Sequence, residues 1–200
     1  VRECGEAGVT AAVVLSAGFR ECGAAGAELE ARLVQAGKQG GVRLIGPNCL
    51  GLMAPHRGLN ATFAAAMALP GDVAFVSQSG ALCTAVLDFA LERGYGFSKF
   101  ISIGNKAGVD EYDLLEYYHK DPETNVMMIY MEELKLRPGF VDQVKHITSG
   151  HRPTPVLVIK SGKTASGAKA ASSHTGSLAG SEAVYNAIFD ETGIIRADTV

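Results

Sequence analysis

At 200 residues, with 47% hydrophobic and 20% charged residues and a net charge of −3, the chain has material for one α/β domain plus part of a second. Acidic and basic residues are mixed along it, so no basic stripe points to nucleic acid. Apolar runs such as Val73–Val76 and Val126–Met131 fall far short of the roughly 20 residues that cross a membrane.

The chain opens Val1-Arg2-Glu3-Cys4 without an initiator Met, apparently inside a helix, and closes just past an apolar run. It is therefore expected to be a piece of a longer protein. Thr10–Leu15 is predicted as a buried strand and Ala27–Gln39 as a helix with Leu29, Leu33 and Val34 on one face. Val42–Ile45 is a second strand, stopped by Gly46-Pro47, which gives a βαβ fragment. From Leu50 to Leu69 the periodicity dissolves into a Pro-, Gly- and Ala-containing stretch, the candidate linker.

A second series follows. Strands are predicted at Val73–Val76, Phe100–Ile103, Asn125–Met131 and Val156–Ile159, with a closing strand beginning at Ile194. Helices are predicted at Leu82–Arg93, Glu111–His119 (with Asp110 as N-cap), Phe140–Thr148 and Glu182–Glu191. Strands alternating with helices define a doubly wound parallel sheet. A polar, glycine-containing loop runs from Lys160 to Ser181.

Ligands of such sheets sit at the carboxyl ends of the strands, which directs attention to the loops after Val76, Ile103, Met131 and Ile159. After Val76 the chain reads Ser77-Gln78-Ser79-Gly80-Ala81-Leu82. One reading is an N-capping serine on an ordinary turn. The other is an anion cradle, because the first N–H groups of a helix are unpaired and its dipole favours negative charge.

After Ile159 comes a loop containing Ser172-Ser173-His174-Thr175-Gly176-Ser177. His174 reads either as a solvent-exposed loop side chain or as a nucleophile. A neutral imidazole, of unperturbed pKa roughly 6.5, can take a phosphoryl group on one nitrogen if an acceptor holds the other. Glu132 and Glu133, directly after an apolar strand, could supply that acceptor or could be solvated turn residues. Cys4, Cys22, Cys49 and Cys83 form no CxxC pair and stand with no His at metal-ligand spacing. This argues against a disulfide framework or a metal site and for a reducing, cytoplasmic setting. No GxGxxG follows a strand, which removes the dehydrogenase reading.

Three motifs stand in order: Gly46-Pro47-Asn48-Cys49-Leu50-Gly51, Ser77-Gln78-Ser79-Gly80-Ala81-Leu82 and Ser173-His174-Thr175-Gly176. Together with Ile103-Gly104-Asn105-Lys106 and Leu115–Pro122, they resemble the NDP-forming acyl-CoA synthetases. The likeness to ADP-forming acetyl-CoA synthetases is closer than that to the succinyl-CoA synthetase α subunit, and it covers essentially the whole chain.

The resemblance implies that residues 1–54 end a CoA-binding Rossmann-like domain. Residues 55–70 would be a linker, and 71–200 a flavodoxin-like phosphohistidine domain. It makes His174 the phosphorylated residue and Glu132 its orienting carboxylate. Ser77, Ser79, Gly80 and Ala81 would form one phosphate-binding helix start, and Gly180 and Ser181 a second. Asn48 and Cys49 would lie beside the reactive end of coenzyme A. No resident metal is expected in the chain; ADP or ATP with Mg2+ would be bound by an ATP-grasp domain or subunit outside it. The other partners would be phosphate, CoA and a small carboxylic acid such as acetate, and the protein would be a homo-oligomer. The competing family is a protein lysine acetyltransferase whose synthetase-like region senses acyl-CoA; the Ser-His-Thr-Gly setting of His174 argues for the enzyme.

Overall fold

The computed structural model describes residues 1–162 and 182–197. The first segment holds α1 (Arg2–Glu6), β1 (Ala11–Val13), α2 (Ala24–Gly40) and β2 (Arg43–Ile45). Strands β1 and β2 pair in parallel, with Ala12 opposite Leu44, and α2 is the crossover between them. Helix α2 ends on Gly41 in the left-handed conformation, where glycine carries no Cβ penalty.

The second segment is a seven-stranded sheet. Its members are β3 (Gly51–Ala54), β4 (Leu59–Thr62), β5 (Leu69–Ser77), β6 (Gly96–Ser102), β7 (Val126–Met131), β8 (Val156–Lys160) and β9 (Ile195–Ala197). Its order is β4-β3-β6-β5-β7-β8-β9. Strands β5 to β9 are parallel, and in chain order they lie second, first, third, fourth, fifth. That is the flavodoxin-like order, whose switch point falls between the first and third strands, here β5 and β7.

Helix α3 (Gly80–Arg93) covers one face, burying Cys83, Leu87 and Ala90 against Phe75, Phe97 and Phe100. Helices α4 (Glu111–Lys120), α5 (Phe140–Ser149) and α6 (Glu182–Thr192) cover the other over Val76, Ile129, Met131 and Val158. The predicted Asp110 cap is present: its carboxylate accepts from Tyr112 N–H at 3.0 Å, and Asp113 answers with a reciprocal bond. Among the described residues, no helix is long and apolar enough to cross a membrane.

The stretch expected as a linker differs from that expectation. Pro55–Arg57 form a 3-10 turn, and β3 and β4 make an antiparallel hairpin that extends the large sheet at β6. Met53 is buried in it, and a Cβ on Gly51 would stand 2.1 Å from the Ala61 carbonyl oxygen. Four-residue strands built on Gly, Ala and Asn carry too little β-propensity to register in the sequence.

The two segments meet where residues 105–109 run along β2. Asn105, Ala107 and Val109 N–H donate to the carbonyls of Pro47, Gly46 and Leu44 at 2.9, 3.0 and 2.8 Å. The loop after β6 is thus hydrogen-bonded to the end of β2 and the turn that follows it.

On the opposite rim, Lys99 of β6 bridges Asp121 at 2.6 Å and Glu123 at 2.7 Å. Burial alone would raise the Asp121 carboxyl, but bonds from Lys99, the Glu123 N–H and the Thr124 hydroxyl hold it below its ordinary value. A depressed carboxylate adds stability that is complete above its unfolded pKa of about 4 and disappears as pH falls through the folded value. Lys99→Met is therefore expected to cost stability at pH 7, with a deficit that shrinks below about pH 4. Urea denaturation at both pH values measures it; a deficit independent of pH would contradict the ion-pair account.

Candidate active site

Ser77 ends β5 fully buried, and its hydroxyl is used within the turn: it donates to the Ser79 carbonyl at 2.8 Å and accepts from the Ser79 N–H at 3.0 Å. Ser79 is the N-cap of α3, accepting from Leu82 N–H at 3.3 Å. Both hydroxyls thus do the local work of shaping a helix start, Ser79 as an acceptor only. Ser79→Ala is expected to destabilise the fold by about 1 kcal/mol, read in thermal unfolding.

Gln78 points inward. Its carbonyl accepts from Glu132 N–H at 3.0 Å and Glu133 N–H at 3.1 Å. Its amide NH2 donates to the Glu133 carbonyl at 2.7 Å and to the Glu111 carboxylate. The side chain of Lys106, with no exposed surface, adds a bond to Glu111 at 2.8 Å and another to the Glu133 carbonyl at 2.6 Å. Glu132 is half-buried at the end of β7, beside the β5–β7 switch point, while Glu133 is buried and ion-paired with Arg20 of the first segment at 2.9 Å. The paired strands β5 and β7 thus bring the start of α3 and the Glu132 turn to neighbouring loops.

Asn48, at φ 56°, donates to the Asn105 side chain at 3.2 Å. Asn105 in turn donates to Glu21 at 2.6 Å and Glu30 at 2.8 Å. Cys49 is buried with its thiol on the Val14 carbonyl at 3.4 Å, and burial pushes its pKa up to about 11. It is a neutral thiol at pH 7 and no nucleophile; of the predicted pair, only Asn48 is partly open. The segment closes on the start of α3, since a Cβ on Gly80 would lie 3.8 Å from Leu50 N.

At the end of β8, Lys160 is buried beneath the Tyr185 ring, 4.7 Å from its centroid, with its ammonium donating to the Ser161 carbonyl. Burial lowers its pKa, with Glu182 drawing it back upward. His174, Gly180 and Ser181 lie outside the described residues. Among the described residues, no cluster of three or more His, Cys, Asp or Glu is arranged to hold a metal. A groove of about 890 Å³ between α2–β2 and β3, β6 and α4 is lined by none of the predicted site residues.

Sequence reasoning passed over Gln78, Lys106, Glu111 and Arg20. The available signal was a Gln inside a serine turn and a Lys-Ala-Gly turn after an apolar strand, neither of which announces burial.

A flavodoxin-like doubly wound sheet with a helix start and a carboxylate turn at its switch point defines the class. More particularly, the chain belongs to the succinyl-CoA ligase like flavodoxin domain family, matched over residues 70–200. It is 50% identical, over its whole length, to the acetate–CoA ligase (ADP-forming) I of Archaeoglobus fulgidus, spanning 29% of that protein. It is 42% identical to the acetate–CoA ligase (ADP-forming) I subunit alpha of Pyrococcus furiosus, again over its whole length, and spans 43% of that subunit. Among solved structures, the dinucleotide forming acetyl-coenzyme A synthetase 1 of Ca. Korarchaeum cryptofilum, in complex with phosphate and ADP, superposes with a TM-score of 0.91. That match has 45% identity over 98% of this chain and 42% of the other. The chain spans less than half the length of these relatives.

Proposed function

We propose that the full-length protein is an ADP-forming acyl-CoA synthetase and that this chain carries its phosphohistidine step. Acyl-CoA and phosphate give acyl-phosphate and CoA. His174 attacks the phosphorus, releasing the carboxylate; the phosphoryl group then passes to ADP held by an ATP-grasp domain or subunit outside this chain. Acetate is the acid proposed, on the names of the relatives. Residues 1–50 would complete a CoA-binding domain, with Asn48 near the reactive end of the cofactor, and the large sheet from β3 onward would belong to the phosphohistidine domain.

The observation that carries this reading is the meeting of the α3 start and the Glu132 turn at the β5–β7 switch point, in a chain so similar to ADP-forming ligases. The start of α3 offers N–H groups and dipole to a phosphoryl dianion, worth about 0.3–1 kcal/mol exposed and up to about 2 when partly buried. Glu132 would accept the N–H of the imidazole nitrogen that does not react, which leaves the other nitrogen's lone pair for phosphorus. Gly180 and Ser181 would add a second helix start.

The test is incubation of the full-length protein with Mg-ATP, followed by a search for an acid-labile, base-stable phosphoryl adduct that ADP discharges. An adduct on wild type and none on His174→Ala supports the synthetase. CoA binding without any adduct would overturn it in favour of an acyl-CoA sensor.

A further inference from the structure

We infer that the Gln78 amide and the Lys106 ammonium are positioning residues that lock the Glu132–Glu133 turn and thereby aim the Glu132 carboxylate. The inference rests on Glu132 having the role proposed above. Strand β7 ends at Met131, and residues 132–139 form no helix or strand. The N–H groups of Glu132 and Glu133 and the carbonyl of Glu133 therefore lie beyond the ladder, where buried backbone groups must find other partners. All of these are taken by Gln78 and Lys106. Gln78 spends both acceptor positions and both donors in doing so, two of its bonds serving the turn's N–H groups, one its carbonyl and one Glu111.

The arrangement is costly as mere packing. An ammonium with no exposed surface is removed from water, and a buried ion pair is often no better for stability than apolar side chains of the same volume. Lys106 also sits at φ 45°, a conformation that suits Gly or Asn and strains Lys. A buried charge, a strained backbone and a fully engaged buried amide converge on one turn, whose half-buried side chain is Glu132. Arg20 braces the same turn from the first segment through the Glu133 carboxylate. What these groups fix is a backbone direction, and a misplacement of about 1 Å in a reacting group costs on the order of 100-fold in rate.

The experiment uses the full-length protein with Lys106→Met and Glu111→Leu together, so that neither charge is left buried alone. Val126–Met131 amides should exchange as slowly as in wild type, while the Glu132 and Glu133 amides exchange about 10-fold faster or more. CoA affinity and the KM for Mg-ATP should stay within about two-fold, while phosphoryl uptake slows about 10- to 100-fold. In a Glu132→Gln background the same pair should slow uptake by less than about two-fold, because the residue acted upon is gone. Gln78→Met, which removes the acceptor of both N–H groups together with the donors, should show the same pattern. Unchanged exchange at Glu132 and Glu133, or an equal loss of uptake in both backgrounds, overturns the inference. Absence of any adduct on wild type would sink the phosphohistidine reading instead; the exchange rates still decide the clamp.

Discussion

Full-length protein carrying His174→Ala is expected to take up no phosphoryl group from Mg-ATP, and Glu132→Gln to take it up about 10²- to 10⁴-fold more slowly than wild type. The two effects differ in kind. Removing the imidazole would remove the atom proposed to bond phosphorus. The glutamine keeps the shape of Glu132 and loses the negative charge that favours one tautomer and stabilises the positive charge developing on the attacking ring. An amide can also present its NH2 to the imidazole, which selects the wrong tautomer. Glu132 is half-buried with its backbone N–H on Gln78, so Glu132→Gln should fold as wild type does. CoA affinity should be unmoved, since Asn48 lies on the other segment. Single-turnover phosphorylation by quenched flow measures the loss; uptake within about three-fold of wild type would remove Glu132 from the chemical step.

The proposed phosphohistidine step would ask two things of this part of the fold: a place for a dianion and a fixed carboxylate. Parallel strands supply the first at low cost, because a helix must start where β5 ends. The second is harder, because a Glu one residue past a strand end has a backbone free to turn. In this chain the turn is held from β5 by Gln78, from the β6 loop by Lys106 and from the first segment by Arg20. The segment that carries Asn48 and the sheet that carries Glu132 are thus tied through one continuous set of polar contacts, with Asn105, Glu21 and Glu30 at its outer end.

The parallel strands and their helices were legible because each carries a full period: Val126–Met131 is apolar throughout, and α4 has its Asp110 cap and its Leu114, Leu115 and Tyr118 stripe. The sequence pointed only to the loops after four strands; the switch point between β5 and β7 emerged from their order in the sheet. The β3–β4 hairpin was not legible. Its strands are four residues long and owe their place to the edge of β6, a partner about 50 residues away. The Gln78–Lys106–Glu111 cluster was illegible for the same reason. Gln78 and Glu133 are 55 positions apart, and Lys106, read locally, is a turn lysine that ought to be exposed. Ser77 and Ser79 were seen with both their uses open; in the structure Ser79 caps α3 as an acceptor and Ser77 bonds the backbone of Ser79.

Gly104→Ala is expected to destabilise the protein by about 2–5 kcal/mol, lowering Tm on the order of 10 °C. Gly104 has φ 52°, and a Cβ there would stand 2.2 Å from the Asn48 carbonyl oxygen and 2.3 Å from that of Pro47. Both obstacles are backbone, so neither can swing aside as a side chain tip would. Relief requires residues 104–106 to move away from 47–48, which breaks the bond from Asn105 N–H to the Pro47 carbonyl and shifts the Asn105 and Lys106 side chains together. Gly94→Ala is the matched control. Gly94 has φ 71° at the end of α3, but a Cβ there meets nothing within 4 Å, so it bears only the left-handed penalty of about 1 kcal/mol. Thermal unfolding of the two variants separates conformation from close approach. If Gly104→Ala costs no more than Gly94→Ala, the contact of the β6 loop with the Asn48 segment is not what joins the two parts of the chain. A larger loss, accompanied by slower phosphoryl uptake, would show that the joint between the proposed CoA-binding segment and the ligase sheet also sets the Glu132 turn.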